Sequence, residues 1–98
     1  VAEFTRDWLG LRVQQNNPRF AISNRLATSK GMVVMNVVPK SAGERTGISA
    51  GDVIRQVNQD RIDSEEDYNK AIVDLNNPDR IMLLVQRGLQ GYYVTLEP

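Results

Sequence analysis

Two short apolar runs bracket the longest helical pattern in this chain, and that order restricts its fold more than any other feature. Met32-Val33-Val34-Met35 with Val37-Val38 forms the first run, closed by Pro39, and Ile81 to Val85 forms the second. Both read as strands, and the first, short and rich in β-branched residues, suits a strand covered on both faces. Between them, Tyr68, Ala71, Ile72 and Leu75 fall at i, i+3, i+4 and i+7, one face of a helix. Near the start, Leu9, Leu11 and Val13 alternate with Gly10, Arg12 and Gln14, the period of a half-buried strand. Near the end, Gly88-Leu89-Gln90-Gly91 turns the second run into Tyr92–Leu96, a closing hairpin. The expected class is α+β, a small antiparallel sheet or open barrel of about five or six strands capped by about two or three helices.

Local signals fill the gaps. Asn17 is placed to cap a short helix with Pro18 in its first turn, and Ile22 with Leu26 supplies one apolar i,i+4 pair. Ser41 to Thr46 is long enough for a short helix, with Gly47 where a left-handed C-cap belongs. Val53, Ile54 and Val57 begin another strand, which Asn58 to Arg61 turns back toward Ile62. Ser64 and Asp67 have the spacing of a capping box, and Glu65, Glu66 and Asp67 complement the helix dipole by about 0.3–1 kcal/mol each. Asn76-Asn77-Pro78-Asp79 ends that helix. Met35, Ile54, Tyr68 and Val85 are the expected core.

Composition then removes whole classes of chemistry. Cysteine and histidine are both absent from the 98 residues, so a disulfide scaffold, a thiol nucleophile, a zinc-thiolate site, a His-ligated metal and a Ser-His-Asp triad are unavailable. Net charge is zero, which disfavours nucleic acid as a partner. Residues 1–58 carry 8 basic against 4 acidic side chains and residues 59–98 carry 4 against 8, the acidic excess gathering at Asp60 to Asp67. Those carboxylates fall at a turn and a helix cap without metal-ligand spacing, so no metal or other cofactor is expected. No apolar run reaches the roughly 20 residues of a membrane span. The chain opens on Val1 and carries no signal pattern, which suggests a piece excised from a longer protein. Residues 1–7 read as an arm from a preceding domain, and 8–97 as one domain.

From Pro39 to Ile54 the sequence is P-K-S-A-G-E-R-T-G-I-S-A-G-D-V-I, which closely resembles the P-x-S-x-A-x-x-x-G-[LI]-x-x-G-D-x-I signature of PDZ domains. Gly43 departs from the usual alanine and should weaken the short helix by roughly 0.5–1 kcal/mol. Asn58 matches the family's V-N before a hairpin turn, and Trp8-Leu9-Gly10-Leu11 resembles its carboxylate-binding loop. A binding strand that opens the domain, with Tyr92–Leu96 closing it, is similar to the circularly permuted PDZ domains of bacterial Do/HtrA-type serine endoproteases. The ending L-L-V-Q-R-G-x-x-x-Y-Y-V-T-L looks most like the second, C-terminal PDZ domain of such proteins.

This resemblance implies a peptide-binding module whose partners are hydrophobic C-termini or exposed, unfolded apolar segments. It would regulate or tether a trypsin-like endopeptidase domain lying N-terminal to Val1, and touch that domain and neighbouring subunits, in the periplasm and in protein quality control. Trp8, Leu9, Gly10 and Leu11 would form the carboxylate loop. Leu9, Leu11 and Ile72 would line the pocket for the last side chain, with Arg12, Val13, Glu65, Asn69 and Val73 along the groove. The physics is that of strand addition: the peptide backbone pairs with a sheet edge, and successive amides around a glycine form a nest for the carboxylate. Plainer roles stay open. Leu9, Leu11 and Val13 equally suit a core strand, Gly10 a bulge, Glu65 a helix-end charge and Arg12 a solvated face. Trp8 suits either a core plug or a contact with a neighbouring domain. At the level of the domain, the rivals are an assembling PDZ domain with a closed groove, or one from another protease or a secretion system.

Overall fold

A computed structural model describes residues 10–26, 28–73 and 80–96. The arm at 1–7, Trp8, Leu9, Leu75 and the Asn76–Asp79 stop lie outside the described residues. In chain order the elements are β1 (Leu11–Gln15), α1 (Pro18–Ser23), β2 (Met32–Val37), α2 (Ala42–Arg45), β3 (Val53–Val57), β4 (Asp60–Arg61), α3 (Glu65–Val73), β5 (Ile81–Arg87) and β6 (Gln90–Leu96). The strands form one six-stranded antiparallel sheet in the order β1-β2-β3-β5-β6, with β4 paired to β3. The expected α+β class holds, and each helix expected from its caps is present.

Those caps work as their residue types require. Asn17 Oδ1 accepts from Phe20 N–H at 2.8 Å, and Ser41 Oγ from Glu44 N–H at 3.3 Å. Despite Gly43, α2 forms, with the Glu44 side chain also accepting from Lys40 N–H at 3.0 Å. At α3, Ser64 Oγ accepts from Asp67 N–H at 3.3 Å, but the Asp67 carboxylate turns to Asp63 N–H at 3.1 Å rather than closing the box on Ser64. Asp63 also takes Arg55 at 3.3 Å and Arg61 at 3.7 Å, so part of the acidic cluster is ion-paired.

The core joins one face of the sheet to α3: Leu11, Val34, Ile54, Leu83, Val85 and Leu96 meet Tyr68, Ala71 and Ile72. Two expectations fail here. Met35 is 41% exposed, because β2 is covered on both faces only through Val34. Beyond that point Met35 rims a shallow apolar cavity with Phe20 and Leu26. Ile22 is 80% exposed and Leu26 lies beyond the helix, because α1 ends at Ser23 and Arg25 turns the chain at φ +56°. A helix of six residues offers one residue to the interior, and that residue is Ala21. The strand expected at Ile62 is shifted, with β4 covering Asp60–Arg61 and Ile62 buried just beyond it.

Candidate functional site, a groove beside an edge strand

Among the described residues β1 is an edge strand, paired only to β2, so its outer row of backbone groups is not spent on the sheet they form. Its register against β2 slips by one residue between Arg12 and Val13. Leu11 and Val13 point into the core, whereas Arg12 and Gln14 are exposed. The alternation read from the sequence therefore places its apolar half inside.

Gly10 leads into this strand at φ +76°, a conformation that side chains with a Cβ rarely adopt. A Cβ there would also overlap the Cβ and Oγ of Ser41. The Gly10 carbonyl accepts from Val38 N–H at 2.8 Å, which fixes the loop against the end of β2. Glycine here is thus required twice, by φ and by close approach. Ser41 is the cap of α2, so the signature segment backs the candidate carboxylate loop.

Leu11, Val13 and Ile72 share the core cluster, Leu11 with no exposed surface. All three belong to the buried core as packed side chains. Along α3, Glu65 and Asn69 are half-buried, and Val73, at the helix end, is 76% exposed. Where α3 begins, Gln15 Oε1 accepts from Glu65 N–H at 2.7 Å, so strand and helix are joined across that end of the groove.

Past α2 in the chain lies an ionic cluster centred on Asp52. Asp52, 2% exposed, accepts from Arg87 Nε and Nη2, both at 2.8 Å, from Ser49 N–H at 2.9 Å and from the Tyr92 hydroxyl at 3.0 Å. Arg87 also donates to Gly47 O at 3.0 Å and lies 5.2 Å from the Tyr92 ring centroid. Burial alone would raise the Asp52 carboxyl; the bonds from Arg87, Ser49 and Tyr92 outweigh it and hold the group below its ordinary value. Burial, then the bond to Asp52, pushes the Tyr92 phenol up. The cluster ties Gly47, Ser49 and Asp52, in the segment that follows α2, to Arg87 and Tyr92. No pattern in the sequence pointed to this cluster or to Gln15. Asp52 stood in the signature as a bare G-D, and its partner is 35 residues away.

Among the described residues no group of three or more His, Cys, Asp or Glu is placed to hold a metal, and no helix is long and apolar enough to cross a membrane. The arrangement offers a free strand edge, a glycine loop and a flanking helix, which is equipment for holding an extended chain.

Comparison with known proteins agrees with this geometry. A PDZ domain family model matches residues 8–96. The chain is 34% identical over 91 residues to a probable periplasmic serine endoprotease DegP-like from Chlamydia pneumoniae, covering 92% of this chain and 18% of that protein. Against the DegP-like protein of Marinomonas sp. it is 36% identical over 95 residues, covering 95% and 20%. The chain therefore spans about a fifth of the length of these curated relatives. Among solved structures, it resembles the HtrA3 PDZ domain bound to a phage-derived ligand (FGRWV), with a TM-score of 0.75, 26% identity and coverage of 93% and 84%. It also resembles the HtrA-type protease AlgW with a decapeptide, with a TM-score of 0.76, 30% identity and coverage of 92% and 28%. With an edge strand, a glycine loop and a helix in this arrangement, and a family match over nearly its whole length, the chain belongs to the PDZ domain family, and its relatives include DegP- and HtrA-type serine endoproteases.

Proposed function

We propose that this domain binds hydrophobic C-terminal peptides as an added strand on β1, and thereby regulates or tethers a serine endoprotease to which it belongs. The observation that carries the reading is Gly10. Its positive φ and its contact with Ser41 form a turn ahead of an open strand edge, where amides from Gly10 and Leu11 can converge on a carboxylate. Two similar structures hold peptides, one of them ending in valine. The names of the curated relatives support placing the parent protein in the periplasm as its endoprotease, with unfolded protein segments, its own catalytic domain and neighbouring subunits as further partners. The closing sequence supports assigning this domain as the second PDZ domain of that parent.

On this reading the last peptide side chain enters between Leu11 and Ile72, with Leu9 and Val13 nearby, while Trp8 belongs to the loop. Arg12, Glu65, Asn69 and Val73 meet the residues further along. The apolar pocket gives no partner to a buried charge. A fluorescein-labelled peptide ending in valine is therefore expected to bind at least about tenfold more tightly than the same peptide ending in aspartate. Anisotropy titration measures the ratio, and equal binding of the two would count against the pocket.

A second reading, a domain that mainly assembles the parent protein with its groove closed, draws on the complete burial of Leu11 and on the Gln15–Glu65 bond. It expects concentration-dependent self-association in sedimentation and no saturable peptide binding.

A further inference from the structure

Gln15 ends β1, and its side chain is the acceptor for the first N–H of α3, 50 residues away in sequence. Helix N-termini leave such N–H groups without intrahelical partners, and a residue close in sequence usually supplies the cap. Here Ser64 serves Asp67, and the Glu65 N–H is served from across the groove.

The backbones on either side of this end are also tied together. Asn16 N–H donates to Gly31 O at 3.0 Å, and Gly31 N–H donates to Asp63 O at 3.1 Å. Asn16 is buried, its amide donating to Thr28 O at 2.7 Å and Lys30 O at 3.1 Å. Gly31 sits at φ +88°, where an added Cβ would come within 2.7 Å of the Ile54 carbonyl, so the tie rests directly on β3. Strand and helix are thus held at a fixed separation where β1 ends. The Gln15 side chain, exposed and rotatable, is the part that can yield.

An antiparallel peptide whose carboxylate sits at Gly10 runs toward Gln15. In a one-to-one ladder, its last residue and those two and four before it lie level with Leu11, Val13 and Gln15, so about four residues fit before Gln15 is reached. We propose that the Gln15–Glu65 bond is a length stop, a clasp that lets short C-termini dock freely and that longer chains must open. Gln15 is therefore a positioning residue that sets the peptide length the groove prefers. This rests on the peptide-binding reading above.

The test compares two peptides with one C-terminal sequence, of about four and about eight residues, on the wild-type domain and on Gln15→Ala. Losing a hydrogen bond of ordinary strength sets the expected scale. The longer peptide should gain about two- to tenfold in affinity on the variant, while the shorter one keeps its wild-type affinity. Amide hydrogen exchange at Glu65, read without peptide, should be faster in the variant. Equal changes for both lengths, no change for either, or unaltered Glu65 exchange would overturn the clasp while leaving peptide binding intact. Failure of both peptides to bind either protein would instead remove the peptide-binding reading, and the length stop with it.

Discussion

Replacing Arg87 with alanine is expected to lower the stability of the domain markedly at neutral pH, because Arg87, itself half exposed, is the charged partner of a carboxylate that is almost wholly buried. The variant leaves the Asp52 carboxylate buried with only Ser49 N–H and the Tyr92 hydroxyl as partners. The direction with pH follows from Asp52. Its folded-state value is held below the ordinary 3.8, so its stabilising contribution is present above that value and is lost as pH falls through the folded one. The deficit of Arg87→Ala should therefore be full at about pH 7 and should shrink at about pH 3, where protonation of Asp52 removes the uncompensated charge. Urea unfolding of both proteins at the two pH values checks this. An equal deficit at both would place the loss in packing of the Arg87 side chain, not in the charge.

Ile54→Ala should be comparably severe. Ile54 has no exposed surface, lies opposite Met32 on one side and Val85 on the other, and joins the core cluster beneath α3. Truncating a side chain so enclosed costs about 2–5 kcal/mol, out of the roughly 5–15 kcal/mol that a domain of this kind holds in total. A large fall in the urea midpoint with an unchanged slope is the expected result. A negligible fall would mean that β3 does not sit centrally in the sheet.

The two substitutions also mark the limit of what can be read from the chain. Ile54 was legible because strands and helices announce themselves through near neighbours: alternation around Val13, the i, i+3, i+4 spacing of Tyr68, Ala71 and Ile72, the caps Asn17 and Ser64. Gly10 was legible through the resemblance, and its φ and the Ser41 contact explain why glycine stands there. Arg87 and Gln15 were not legible, because side-chain bonds spanning 35 and 50 residues leave no periodicity. Met35 and Ile22 failed for a different reason. Each is apolar in a locally sound element, and its burial depended on a further layer that the fold does not supply at that point.

The groove residues divide along the same line. Leu11, Val13 and Ile72 were expected both to be buried and to receive a ligand side chain, and burial is what the unliganded domain displays. A charged substitution at Ile72 would disturb the fold as well as the groove, since that side chain is 3% exposed. Probing the groove is therefore better done from the peptide than from the protein.

That makes one comparison decisive: a single C-terminal peptide ending in valine, titrated by fluorescence anisotropy as the free acid and as the C-terminal amide. If amides around Gly10 hold the terminal carboxylate, each charge-assisted hydrogen bond contributes roughly 1.5–3 kcal/mol, and amidation should weaken binding at least about tenfold. Equal affinity of acid and amide would contradict terminal recognition by this domain.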